Sequence, residues 1–400
     1  MIKAFMDDGK QIPLAFDKIV SNKDLYPCCN KILDLVNVFT SIFIADIRTA
    51  AHKRNNILVR IPVCKTNLDA WHRNTSLITK LLNFVTEGDE DKWSIEFYPI
   101  NYSFHNLQQK FIYDNNFSNV SLLSGGLDSF CGISTNSQIE DNTIYCGYKT
   151  SNLDAFHIDS VFNFAKDKYS NIELAIFSKV NISKVFMHQR TRSLLFFSLA
   201  CLVASNNNIP VINVYENGIM TLNPSFQSRG TTKTTHPKTI KLYQNLINDI
   251  GINIKIQHPY LFLTKGEIVN ALDFTFRNKI KDTRSCSRSR RDIRFSKKGI
   301  TSCGACVPCL LRKISLAAYD MEKFDHDYFI PYKGDLNNTE YLSAYNYFYE
   351  FSLAIKQGRI LSEIDIRQKY YNDPKYLEKT FDLLNRFNTE LEIFFNKYGR

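Results

Sequence analysis

No run of apolar residues in this 400-residue chain is long enough to cross a bilayer. The longest, residues 194–204, falls well short of the ~20 residues a spanning helix needs, so it reads as a core helix. The first ten residues carry Asp7 and Asp8 and no apolar stretch, so no secretory signal is read there. A cytoplasmic protein without a membrane span is the expectation. There is no internal repeat, which sets aside solenoids and propellers. There is no low-complexity segment, which sets aside long disordered tracts. What remains is globular: 44% hydrophobic and 22% charged, with length for a sizeable core and two or three domains.

The formal net charge is +10. Much of the excess lies between residues 277 and 298, where Lys and Arg crowd around two acids. Such a segment suits nucleic acid, or a positive rim around a site for ATP and an anionic substrate. Charge alone does not separate the two; the rim is favoured. Six of the ten cysteines (Cys28, Cys29, Cys64, Cys131, Cys146 and Cys201) stand in apolar surroundings and read as small buried hydrophobes in a reducing compartment.

Three regions differ in texture. Residues 1–115 mix β-like runs (56–63, 93–100) with helix-like ones (30–50, 74–85) and predict an α+β accessory domain. In residues 116–320, short apolar runs at 120–123, 143–148, 173–177, 210–214 and 253–257 alternate with helical patterns at 129–138, 154–169, 189–206, 238–250 and 264–273. That alternation predicts βαβ units and a parallel sheet, the α/β class. Residues 321–400 have helical spacing at 341–355 and 376–395 and predict a helical extension.

The most informative stretch is Ser121-Leu122-Leu123-Ser124-Gly125-Gly126-Leu127-Asp128-Ser129. An apolar run ends in a Gly-rich turn and a helical pattern follows. At such a junction the free N–H groups and the helix dipole favour an anion. Gly125 and Gly126 permit positive φ and close backbone approach, Ser124 and Ser129 add hydroxyls, and Asp128 either holds Mg²⁺ or caps the turn. No Gly-Lys-Ser/Thr follows, so this is not a Walker A loop.

Cys286 and the string Cys303-Gly304-Ala305-Cys306-Val307-Pro308-Cys309 offer four thiolates. That set suits tetrahedral Zn²⁺ in a closed, structural site, with an iron–sulfur cluster as the competitor.

The S-G-G-x-D-S string resembles the PP-loop signature of ATP-pyrophosphatases, a Rossmann-like (adenine nucleotide alpha hydrolase-like) family. Together with Thr264-Lys265-Gly266-Glu267-Ile268, Cys286 and the cysteine string ending at Leu311-Arg312, the chain resembles QueC, the 7-cyano-7-deazaguanine synthases, over about residues 117–320. The resemblance implies cleavage of ATP between its α and β phosphates and adenylation of a deazapurine-type carboxylate. It implies that Ser124, Gly125, Gly126, Leu127, Asp128 and Ser129 bind the phosphates. Arg192 and Lys265 would lie near nucleotide and phosphate, and Cys286, Cys303, Cys306 and Cys309 would ligate zinc in segment 286–309. ATP, Mg²⁺ and Zn²⁺ are the expected cofactors.

The chain departs from QueC in both terminal regions and in Gly147-Tyr148-Lys149, where the family has Gly-Gln-Arg/His. Tyr215-Glu216-Asn217-Gly218, Asn223-Pro224, Arg229, Thr234-Thr235-His236-Pro237, the N-terminal run from Ala45-Asp46 to Trp71 and residues 93–98 are more similar to the QueC-like proteins of bacterial anti-phage islands. That is the group of QatC and of the QueC-like component of CBASS operons. Glu216 or His236 is a candidate base or substrate anchor, against the plainer readings of a capping Glu and a turn histidine. Asn217 and Asn223 offer paired edges for a purine-like ring, or only shape the loop. A partner protein from the same operon and a homodimer fit this group. A housekeeping synthase, a PP-loop RNA-modifying enzyme and a non-catalytic nucleotide-binding adaptor remain as alternatives.

Overall fold

A computed structural model describes residues 2–6, 11–14, 30–49, 56–86, 92–100, 113, 116–139, 141–149, 151–178, 189–224, 226, 233–288 and 300–399. Cys28, Cys29, Arg229 and the second part of the basic run (residues 289–298) lie outside the described residues.

The N-terminal region forms β1 (Ile2–Met6), β2 (Gln11–Leu14), α1 (Asn30–Arg48), β3 (Ile57–Cys64), α2 (Leu68–Arg73), α3 (Thr75–Val85) and β4 (Trp93–Ile100). Its four strands pair in the order β2-β1-β3-β4; only β3 and β4 are parallel. Burial alternates along most of β4, as expected of a strand with one face on a core and one in water. α1 is buried almost all round, which fits its apolar composition on every face. Its acids are paired: Asp34 accepts from the Cys64 N–H (2.9 Å) and the Asn67 amide (2.7 Å).

The second sheet is built from β5 (Asn119–Leu123), α4 (Leu127–Gln138), β6 (Thr143–Lys149), α5 (Asn152–Lys166), β7 (Ile172–Ser178), α6 (Arg192–Asn206), β8 (Val211–Asn213), α7 (Gly218–Leu222), α8 (Pro237–Asp249), β9 (Lys255–Gln257), α9 (Lys265–Asn270) and α10 (Phe274–Arg277). Its five strands are all parallel, in the order β7-β6-β5-β8-β9. β5 and β6 are buried on both faces, the reason both read as largely apolar runs. One face packs on α6 and α8 in a cluster that also takes in α1, β3 and β4. The other packs on α4, α5, α9 and α10.

The chain starts this sheet in the middle, runs outward to β7, then returns to the other side of β5. The strand order therefore reverses between β5 and β8, and such a switch point opens a crevice at the carboxyl ends of the two strands.

Residues 300–399 add α11 (Val307–Ala317), α12 (Thr339–Lys356) and α13 (Tyr376–Tyr398). These helices share one apolar cluster with α7 and with all four clustered cysteines. The C-terminal region is thus docked against the site rather than standing off from it.

Candidate functional site

The Gly-rich turn lies at the end of β5, on the switch-point crevice. Gly125 has φ +73°, and a Cβ there would sit 2.9 Å from the Ile158 nitrogen, so only glycine fits. Gly126 differs from the sequence expectation: its backbone is extended (φ −82°), at the N-cap of α4. Ser129 Oγ donates to the Gly126 carbonyl (3.1 Å) and lies 3.2 Å from Ser124 Oγ, so the two hydroxyls lace the turn together. The first bond of α4 runs from the Phe130 N–H to the Gly126 carbonyl (3.1 Å). The N–H groups of Leu127, Asp128 and Ser129 precede it, and these are the donors a helix leaves for an anion. Leu127 contributes only its backbone, since its side chain is in the core.

Beside the turn is a buried polar cluster. Asp128 Oδ1 pairs with the Lys265 ammonium, the two side chains being 7% and 6% exposed. Asp128 Oδ2 accepts from the Asn217 amide (2.7 Å) and from the Asn217 backbone N–H (3.3 Å). Burial opposes ionisation of Asp128, but the Lys265 charge and the hydrogen bonds from Glu216, Lys265 and Asn217 outweigh it and hold the carboxyl at about 2. Glu216 is shifted the other way, first by burial and then by the Asp128 charge, so in this pair Asp128 carries the charge and Glu216 the proton. His258 Nε2 donates to the Glu216 carbonyl (2.8 Å), and burial pushes its imidazole down to about 4, which keeps it neutral.

Both Asp128 oxygens are engaged with protein groups. In this arrangement Asp128 orders Lys265 and Asn217. As for capping, the hydrogen bonds of the Asp128 carboxylate run to Asn217 and Lys265, on other segments.

The other predicted residues are placed as follows. Lys265 opens α9 behind a full capping box, in which Thr264 Oγ1 accepts from the Glu267 N–H (3.0 Å) and Glu267 accepts from the Thr264 N–H (2.8 Å). Asn217 caps α7, accepting from the Met220 N–H (3.0 Å). Asn223 ends that helix at φ 37°, its Oδ1 accepting from the Tyr347 hydroxyl (3.5 Å). His236 caps α8, its Nδ1 accepting from the Lys238 N–H (3.1 Å), and its ring packs edge-on against Phe84 at 5.1 Å. Burial lowers it to about 3. The turn-histidine reading of His236 therefore describes its contacts, and the base reading does not. Arg192 is exposed at the first turn of α6, near Asp154 and Tyr148. The preceding Thr191 is fixed by Asp46, whose Oδ2 accepts from its N–H (3.0 Å) and hydroxyl (2.9 Å). Cys131, one turn beyond Asp128, is 1% exposed with its thiol pushed up by burial, unlike a reactive cysteine.

Cys286, Cys303, Cys306 and Cys309 converge, all four sulfurs lying within 4.8 Å of one another. Two Sγ–Sγ separations are 3.6 and 3.9 Å. A tetrahedron of thiolates around one Zn²⁺, with bonds of about 2.3 Å, has edges of about 3.8 Å. A multi-iron cube carries its thiolates outward on separate corners and needs wider spacing. The N–H groups of Ala305 (3.4 Å) and Cys306 (3.3 Å) point at Cys303 Sγ, the support a thiolate receives in a metal knuckle. The four residues therefore fit a single metal ion such as zinc.

Sequence reasoning named Arg312 only as the end of the cysteine string, and missed Arg284 and Lys313, which with it tie this centre to its surroundings. The Arg284 backbone N–H donates to the Gly125 carbonyl (3.0 Å), two positions before Cys286. Arg312, fully buried, ion-pairs with Asp325 (2.7 Å) and donates to the Thr283 hydroxyl (2.7 Å) and the Ile280 carbonyl (2.8 Å). Lys313 Nζ donates to the Gly304 and Ile330 carbonyls (2.7 Å each). Arg312 and Lys313 follow the cysteine string directly, and only that adjacency could have flagged them. His258 and Glu390 carried no sequence signal. No family model matches this chain, and no curated protein matches it in sequence.

Proposed function

We propose that this protein is an ATP-dependent ligase of the QueC-like PP-loop type. The carboxylate oxygen of a 7-deazaguanine-type substrate attacks the α-phosphorus of ATP. The bond to the β-phosphate bridging oxygen breaks and pyrophosphate leaves. An amine then attacks the acyl carbon, AMP departs with the electron pair, and the amine loses a proton to give an amide.

One observation carries the reading. Three outward N–H groups of α4 stand beside the buried Asp128–Lys265 pair, at the point where the order of a parallel sheet reverses. The N–H groups supply donors for a phosphate chain. Lys265, held on the opposite wall, supplies a cation where charge develops on the leaving pyrophosphate. Asp128 orients Lys265 and Asn217, and the protonated Glu216 donates its one proton to Asp128, leaving its other carboxyl oxygen to accept from a substrate N–H or O–H. Zinc, when bound, supplies a structural cross-link between Cys286 and the start of α11. The regions outside 116–320 favour the defence-associated QueC-like group, with an operon partner presenting the amine, over the biosynthetic enzyme. The inert environment of Cys131 disfavours an RNA thiolation enzyme.

The test is to incubate the protein with ATP, Mg²⁺ and 7-carboxy-7-deazaguanine and to measure AMP and pyrophosphate. The proposal expects release that is lost in Asp128→Ala and Ser129→Ala. Release that depends on RNA, or none even with operon partners present, rejects it.

A further inference from the structure

We infer that Glu390, on the C-terminal helix α13, is a positioning residue for Lys265. Its functional meaning rests on the ligase reading above; its structural content does not.

Lys265 is carried by α9, a helix of only six residues, too short to hold an ammonium in place by itself. What holds it is one face of α13. Glu390 is 3% exposed and accepts a hydrogen bond from the Thr264 hydroxyl, on the residue just before Lys265. On the other side of Lys265, Gly266 lies against the same carboxylate. A Cβ there would run into Glu390 Oε1 and come 2.6 Å from Tyr319 Cε2, so the close approach requires glycine. One turn earlier, Arg386 pairs with Glu267 (2.5 Å) and donates to the Phe262 carbonyl (2.8 Å). Earlier again, Leu383 fills the space over Gly218, the residue after Asn217. Leu383, Arg386 and Glu390 recur at helical spacing and so share a stripe. That stripe presses on the two segments that supply both partners of Asp128.

A buried carboxyl with no charge of opposite sign directly on it is costly. Arg386 is committed to Glu267, and Oε2 of Glu390 has no hydrogen-bond partner among the described residues. A generic helix contact would be served better by leucine. A carboxyl retained there fits the specific task of fixing the Thr264–Gly266 turn, and with it the aim of Lys265 Nζ at Asp128.

The experiment reads Lys265 directly and needs no turnover. Folded wild type, Glu390→Ala, Glu390→Gln and Arg386→Ala are pulsed with acetic anhydride, and acetylation at each lysine is followed by mass spectrometry, with buried Lys313 as internal control. In Glu390→Ala, Lys265 acetylation should rise roughly tenfold, the change that losing a buried hydrogen bond of about 1.4 kcal/mol makes in an opening equilibrium. Lys313 should stay protected. Glu390→Gln keeps the acceptor and should restore protection. Should Glu390→Ala not fold, Arg386→Ala decides: its guanidinium is 41% exposed, its loss is tolerable, and Lys265 should still become more reactive. Unchanged Lys265 labelling in the folded variants, or an equal rise at Lys313, overturns the inference. A labelling change in a protein that never releases pyrophosphate would keep the positioning and reject the ligase.

Discussion

The Asn217 amide donates to Asp128 Oδ2 at 2.7 Å across 89 residues of sequence. Each residue sits just beyond the carboxyl end of one of the two strands that flank the reversal in the parallel sheet. Lys265, on a third element, closes the cluster from the far wall. Three separate segments therefore meet at one carboxylate, which is what makes the turn at Gly125 and Gly126 more than an ordinary strand-to-helix corner.

Removing Lys265 should be costly in two ways. With both side chains nearly inaccessible, Lys265→Met leaves the Asp128 charge uncompensated and should lower stability by about 3–5 kcal/mol in urea unfolding. Adding Asp128→Asn should recover much of that loss, because the remaining polar group is then neutral. Neither the single nor the double variant should release pyrophosphate. A single variant as stable as wild type would show that the pair is not formed.

The metal centre should report on the turn. The protein should contain about one zinc per chain by elemental analysis, and Cys306→Ser should lose it together with much of its soluble yield. Because Arg284 links Gly125 to the segment bearing Cys286, chelation should also raise hydrogen exchange at the turn amides 124–126. Iron with visible absorbance in the purified protein would reverse the zinc assignment.

Glu390 should make stability pH-dependent. Burial first, and then the nearby Glu267 charge, raise its carboxyl to about 8, against the bond from Thr264 and the Arg386 charge. A raised folded value means the contribution is fully present below the unfolded value of 4.5 and is lost as pH rises toward 8. The stability difference between wild type and Glu390→Gln, measured in urea from pH 5 to 8, should therefore move against wild type as pH rises. A difference that is flat with pH would contradict the buried, protonated carboxyl.

His236 should behave as a helix cap. His236→Ala should cost about 1 kcal/mol for the lost cap plus the packing on Phe84, and His236→Asn should recover the cap share. Pyrophosphate release per folded molecule should be unchanged in both. With its folded value depressed to about 3, the neutral imidazole contributes stability that is present above 6.5 and lost as pH falls toward 3. Loss of turnover without loss of stability would return His236 to the site.

Much of this protein was legible in the chain. Each of the five parallel strands lies within two residues of its apolar run, because a strand packed between layers of helices needs apolar residues over most of its length even where single polar ones such as Ser121 and Glu173 intervene. The turn at 124–129 and the cysteine string were readable because both functions need several residues close together in sequence. The sequence did not show which of its polar residues would share a space. His258 and Glu390 are single residues at irregular spacing, and His236 stood open between a base or anchor and a turn histidine because a histidine before proline in a loop gives no sign of whether it will face a site or Phe84. Residue types and local spacing determined the elements, the Gly-rich turn and the cysteine string, since these follow from short-range geometry. Only the tertiary structure decided that Lys265, Asn217 and Glu216 converge on Asp128, and that the C-terminal helix reaches back to hold them. The reason is physical: burial and charge pairing depend on distances between segments that the order of residues does not encode directly.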